Sequence, residues 1–195
     1  MRTPLILLSL VLLFTTFSPA SAAEASVAFE TAALPEGWTA AKGDFSVVDG
    51  VLVGKELAAD KHPAVLAIPD PHKSSSISFK VKFDGAKGFS LSYNYAKGHL
   101  FRVNFDQAGL VLMLDKDKKD PASKQVVLAK NDLKPVAGEW VEMTCKVEGE
   151  KVVVTCGGVT LEGSDPKVSA EKDGYRFVVK GESISFDDVV YSSTK

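Results

Sequence analysis

From Ser76 to Phe83 the chain reads SISFKVKF, and from Gly88 to Asp106 it reads GFSLSYNYAKGHLFRVNFD. Both stretches alternate apolar and polar residues with a period of two, a pattern that only an extended chain sorts onto two faces. In the first, Ile77, Phe79, Val81 and Phe83 share a side, and Ser78, Lys80 and Lys82 take the other. The second reads as a hairpin. One face carries Phe89, Leu91, Tyr93, Phe101, Val103 and Phe105, and the other Ser90, Ser92, Asn94, Arg102 and Asn104. A loop of Ala96, Lys97 and Gly98, with glycine where a left-handed backbone is needed, sets Tyr95 opposite His99. The same register sets Ser92 beside Arg102 and Ser90 beside Asn104.

The rest of the chain has the same texture. FSVVDGVLVG (Phe45 to Gly54) is two short strands joined by Asp49-Gly50, a strong hairpin signal. GLVLMLD, KQVVLAK, EWVEMTCKV, KVVVTC, GVTLEG, DGYRFVVKG and SISFDDVVYS supply further strands. AIPDPHKSSS, DKDKKDPASK and NDLKPVAG read as loops between them. No long helical period interrupts the series. About a dozen short strands with regular turn signals predict an all-β fold, a two-sheet antiparallel jelly-roll sandwich. Trp38 and Trp140 are expected to be at least partly buried in it.

The N-terminus is different. Arg2 precedes an apolar run from Leu5 to Phe14, too short to span a bilayer, and Ala20-Ser21-Ala22 offers small residues at a cleavage site. Residues 1–22 read as a signal peptide cut after Ala22, with Ala23 as the alternative, leaving one domain over 23–195. No cysteine follows the apolar run, so a lipid anchor is not expected. The expected location is therefore periplasmic or secreted. A net charge of −2, with no basic stripe, argues against a nucleic-acid partner, and no second apolar run approaches membrane-spanning length.

Cys145 and Cys156 are the only cysteines. Pairing Glu148 with Lys151 places Cys145 opposite Val154 and Cys156 opposite Met143, on one face but diagonal, at the limit of disulfide reach. A two-residue slip would face them directly. Export permits oxidation, so a Cys145–Cys156 disulfide and two buried thiols are both open.

LPEGWTAAKGDFSVVDGVLVGK, with Gly37-Trp38 and the hairpin Asp49 to Gly54, resembles the opening of concanavalin A-like jelly-roll domains of the 3-keto-disaccharide hydrolase family. GEWVEMTCKVEGEKVVVTCGGVTLEG resembles that family's late Trp-bearing strand and following hairpin, and ISFDDVVYS its closing strand. The resemblance spans nearly all of 23–195. It implies a concanavalin A-like sandwich acting on an oxidised sugar at a concave sheet face. Two patterns of larger members, near NSGIFLR and E.Q..D, have no clean counterpart here.

Ser90, Ser92, Asn94, Arg102 and Asn104 are the candidate substrate-binding residues. A planar guanidinium among small donors and acceptors suits sugar hydroxyls or a carbonyl. The plainer reading is a solvated sheet face with Arg102 paired to an Asp. His99 is the natural candidate for a base near neutral pH, and Asp106, ending the same strand, its acidic partner. A rim histidine and a strand-terminating aspartate are the alternatives. DKDKKDP (Asp115 to Pro121) lacks the glycine and late glutamate of a calcium loop, and Asp187-Asp188 reads as a strand-edge feature. No metal or cofactor is expected. The partner expected is a carbohydrate or small glycoside; nothing in the sequence sets an oligomeric state. Two functions stand: an enzyme acting on a keto-glycoside, with Arg102 polarising the carbonyl, or a noncatalytic glycan-binding or envelope-interaction module.

Overall fold

The computed structural model describes residues 24–195, so the expected signal peptide and its cleavage site lie outside the described residues. Among the described residues, strands follow one another with only two short 3₁₀ turns between them. The first five are β1 (Glu24–Val27), β2 (Thr39–Lys42), β3 (Asp44–Val48), β4 (Val51–Lys55) and β5 (Ala64–His72). Then come β6 (Ser74–Phe83), β7 (Ala86–Tyr95), β8 (Gly98–Asp106), β9 (Gly109–Leu114) and β10 (Val126–Asn131). The last five are β11 (Trp140–Glu148), β12 (Lys151–Cys156), β13 (Val159–Ser164), β14 (Lys172–Gly181) and β15 (Ile184–Thr194).

They form two antiparallel sheets, the expected jelly-roll sandwich. One runs β13-β12-β11-β6-β15-β4-β3, with β1 also on β15, and the other β10-β9-β8-β7-β14-β5-β2. The alternating apolar faces meet between them. Phe79 of β6 and Phe186 of β15 come from one sheet, Phe89 of β7 and Phe177 of β14 from the other. Their ring centroids lie 4.7 Å (Phe79–Phe177) to 6.2 Å (Phe79–Phe186) apart, tilted or edge-on, as aromatic quadrupoles prefer.

Both sides of the sandwich are closed. On one side β2 and β3 belong to different sheets yet are separated by a single residue, Gly43, at φ 72°. A Cβ there would lie 2.2 Å from the Cβ of Ala64, so only glycine can make this corner. Its N–H donates to Asp60 Oδ2 at 2.6 Å. On the far side the edge strands β10 and β13 approach so closely that a Cβ on Gly163 would sit 2.6 Å from the Cβ of Leu128.

Three local expectations change. AIPDPHKSSS is not a loop: its first residues, through Pro69 and Pro71 to His72, continue β5. β2 covers β5 only at Val65, Leu66 and Ala67, so beyond that point β5 has a free edge, where prolines lack nothing they would need. Trp38 is buried against Phe29, but Trp140 stays 41% exposed on β11, with Lys82 Nζ 5.2 Å from its ring. His72, assigned to a loop by its prolines, is fully buried. It stacks on Tyr175 and bonds Ser75 Oγ through Nε2 at 3.0 Å, while Nδ1 meets the Asp70 carbonyl.

The cysteine hairpin has the diagonal register: Cys145 opposes Val154, and Cys156 opposes Met143. Both are buried, unbonded thiols, and burial pushes each up to about 12. Of the two outcomes left open, the structure has the buried thiols, because the two-residue slip that a disulfide needs does not occur.

Candidate functional site

The β7–β8 hairpin pairs Ser92 with Arg102 and Ser90 with Asn104, as its alternation predicts. The turn differs by one residue. Gly98 has the positive φ expected of it, 112°, but pairs with Tyr95, so His99 stands opposite Asn94 rather than Tyr95. Leu100 is then the extra residue of a bulge, buried in the core, and Phe101 resumes pairing with Tyr93. A one-residue shift exchanges the faces of a strand. The bulge thus puts His99 on the polar face beside Asn94, while Phe101, Val103 and Phe105 keep the apolar one.

β14 lies on the other side of β7, and it alternates in the same way. Tyr175, Phe177 and Val179 are buried in the core, while Arg176, Val178 and Lys180 are half-buried on the polar face. Register carries one row across the sheet: Ala67, Arg176, Ser92, Arg102 and Met113. The adjacent row is Val65, Val178, Ser90, Asn104 and Val111. Two arginines therefore flank Ser92, with Cα atoms roughly 10 Å apart across two strand spacings.

A pocket of about 370 Å³ opens over these rows. Its floor is Ser90 and Ser92 of β7, Arg102 and His99 of β8, and Arg176, Val178 and Lys180 of β14. Val65 of β5, Ala41 and Lys42 of β2, and the His62-Pro63 loop complete the wall. The corner at Gly43 is what brings β2 to this edge.

Of the predicted binding residues, Ser90, Ser92 and Arg102 line the pocket directly. Asn94 and Asn104 stand behind them. Asn104 Oδ1 accepts from Ser90 Oγ at 2.6 Å, and Asn94 Oδ1 accepts from His99 Nδ1 at 3.1 Å. That bond leaves His99 Nε2 as an acceptor. Burial lowers the pKa of His99, and the charges of Arg102, Lys118 and Arg176 lower it further against the pull of Asp115, so the ring is neutral at pH 7. Arg102 is held by Asp115, with Nε on Oδ2 at 2.9 Å and Nη2 on Oδ1. The plainer reading of Arg102, a pairing with an aspartate, therefore holds alongside its place in the pocket.

Asp106 is not brought to the site. It lies four residues beyond Arg102 along β8, about 13 Å at strand rise, and its Oδ1 accepts from Ala108 N at 2.7 Å in the turn to β9. It acts as a turn residue, so the predicted His99–Asp106 catalytic pair does not form. The same local role falls to Asp117 and Asp120 of DKDKKDP, whose carboxylates accept from Lys119 N and Ala122 N. Asp188 pairs with Lys80 at 2.7 Å. Among the described residues, no group of three or more His, Cys, Asp or Glu is placed to hold a metal ion.

Arg176, Lys180, Lys42 and His62 were missed from the sequence. The alternation in DGYRFVVKG marks the outward face of β14. What it does not mark is that β14 lies beside β7, some eighty positions earlier in the chain.

No family model matches the chain, and no curated protein matches it. The resemblance to 3-keto-disaccharide hydrolases is thus carried only as far as the jelly-roll fold. Solved structures do match. The carbohydrate-binding module CBM66 from Bacillus subtilis superposes with a TM-score of 0.64 at 12% identity, covering 80% of this chain and 96% of that one. A β-1,3-1,4-glucanase (lichenase) from a mouse hindgut metagenome gives 0.61 at 9%, covering 88% and 99%. The Bacillus licheniformis β-glucanase gives 0.59 at 8%, covering 87% and 98%. At these identities the likeness establishes the fold alone.

Proposed function

We propose that this protein is an exported saccharide-binding module whose ligand occupies the pocket over β8, β7 and β14. The observation that carries the proposal is the convergence of hydrogen-bonding side chains from three adjacent strands on one cavity of about 370 Å³. Ser92 makes no side-chain hydrogen bond among the described residues and Ser90 keeps its acceptor capacity, so both have hydroxyl valence left for a sugar. Val65, Val178 and Pro63 provide apolar surface for the C–H face of a ring. Similar folds include a carbohydrate-binding module and two glucanases, which favours the same class of ligand. Export by the signal peptide expected over residues 1–22 would bring the module to where glycans are found.

Enzymatic action on a 3-keto-glycoside is the second reading. It is favoured by a neutral His99 in the same pocket as Arg102: a base and an electrostatic stabiliser for an enolate. The pocket lining contains no carboxylate, which weighs against ordinary two-carboxylate glycoside hydrolysis.

The test is calorimetric titration with a panel of disaccharides and their 3-keto forms, followed by product analysis. Binding without turnover, lost on Ser92→Trp, is the expected result. Turnover of a keto form that disappears in His99→Ala would replace the module with the enzyme. No binding by any saccharide would end both readings.

A further inference from the structure

We infer that the pocket's saccharide is an acidic one, carrying a carboxylate or a sulfate ester that Arg176 receives. The inference rests on the saccharide-binding reading and specifies its ligand class.

The pocket is lined by four basic side chains, Lys42, Arg102, Arg176 and Lys180, and by no aspartate or glutamate. Arg102 is neutralised in place by Asp115. Lys42 has Asp60 at 3.9 Å. Arg176 and Lys180 have no ion-pair partner among the described residues. The pocket therefore holds an excess of positive charge in a chain whose overall charge is −2.

Position makes the imbalance informative. An unanswered cation at an exposed loop tip would mean little. Arg176 instead sits within a strand interior to its sheet, half-buried, between the small side chains of Ala67 and Ser92. Removing a guanidinium partly from water without a counter-charge costs free energy that the fold does not recover. An incoming anion supplies the missing partner. The planar fork of arginine matches two carboxylate or sulfate oxygens at once, where a neutral sugar offers single hydroxyl acceptors.

The remaining lining favours a sugar acid over a bare anion. Ser90 and Ser92 offer hydroxyl-scale hydrogen bonding beside Arg176, and Val65 and Val178 lie one row away. A free phosphate would use the cation and leave the rest of the cavity unfilled.

The test is isothermal titration of the full mature protein with three probes: trigalacturonic acid, its fully methyl-esterified form, and inorganic phosphate. A sulfated galactotriose serves as a fourth, to separate the two acid sources. The acid or the sulfated sugar should bind at least about tenfold tighter than the ester, with the gap narrowing as salt is raised. In Arg176→Gln, checked for folding by circular dichroism and melting, that gap should close while the ester's affinity holds. Equal affinity for acid and ester in the wild type would overturn the inference and leave saccharide binding standing. Phosphate binding as tightly as the sugar acid, or no sugar binding at all, would overturn the saccharide reading and the inference with it.

Discussion

Arg102 holds Asp115 side-on, through Nε at 2.9 Å and through Nη2, across the edge of the β8–β9 ladder. The Asp115 side chain is only 4% exposed and the Arg102 side chain 28%. The bond fixes the end of β9, where Asp115 N also donates to the Leu100 carbonyl at 2.9 Å. It anchors the bulge that turns His99 outward. Arg102 is therefore as much a fixture of the sheet as a lining of the pocket.

Arg102→Ala should accordingly destabilise the protein. The mutant leaves a buried carboxylate without its partner, at a cost of about 2 kcal/mol once the arginine's partial exposure is allowed for. For a domain of this size that lowers the melting temperature by about 4–8 °C. Arg102→Lys keeps the charge but loses the fork and should recover only part of the loss. A melting temperature unchanged in Arg102→Ala would show the pair to be idle.

Gly54 ends the DGVLVG stretch for a reason of space. A Cβ there would lie 2.4 Å from Phe45 Cε1, inside the core. Gly54→Ala should cost about 1–3 kcal/mol by overpacking, measured as a shift of the urea midpoint at unchanged slope. Gly50→Ala meets no atom within 4 Å. Its penalty comes only from the positive φ of 80° and should be the smaller of the two.

Stability should peak near pH 9. Lys172 is buried, its Nζ donating to Lys73 O at 2.6 Å, and burial lowers its pKa to about 8. From there up to its ordinary 10.5 the unfolded chain holds a proton the fold has released, so stability rises with pH. Cys145 and Cys156 act oppositely: raised by burial from 9.0 to about 12, they stay protonated in the fold while the unfolded chain ionises. Burial raises Tyr93 and Tyr175 too, and they add to the fall above pH 10. Two thiols outweigh one amine. Urea titrations should gain at most about 1 kcal/mol from pH 7.5 to 9 and lose about 3 kcal/mol by pH 10.5. On the acid side, burial lowers His72, so stability should drop as pH falls below its ordinary 6.5. A Cys145→Ala/Cys156→Ala variant that keeps the full alkaline loss would contradict this assignment.

A thiol reagent should find nothing to react with quickly in the native protein, and two thiols per chain after unfolding without reductant. Zero thiols in the unfolded chain would mean that the hairpin adopts the slipped register.

Alternation alone was enough to read the sandwich, because each strand carries its own two-residue period and needs no partner to display it. It also gave the pairing of Ser90 and Ser92 with Asn104 and Arg102, since those residues are joined by one short turn. The face of His99 was not legible. Leu100 looks like one more apolar residue in the strand, and only the closed hairpin shows it to be supernumerary. Arg176 was missed for a different reason. Its neighbours come from β5 and β7, and the order of strands in a sheet is decided by the whole topology rather than by any window of sequence. His72 shows the same limit from the opposite side: the two prolines just before it suggest a loop, but the free edge beyond β2 lets them remain in a strand.

The corner at Gly43 bears on how the pocket meets a ligand. Because one residue joins β2 to β3, and Asp60 bonds that residue's N–H, the wall carrying Ala41 and Lys42 is fastened to both sheets. The floor is equally fixed, being made of strands within a sheet. Whatever enters finds the cavity already shaped, so the ordering entropy that a mobile loop would lose on binding has been met during folding. Affinity can then come from modest contacts, and selectivity from the shape of the walls, since a rigid wall cannot give way to a poor fit.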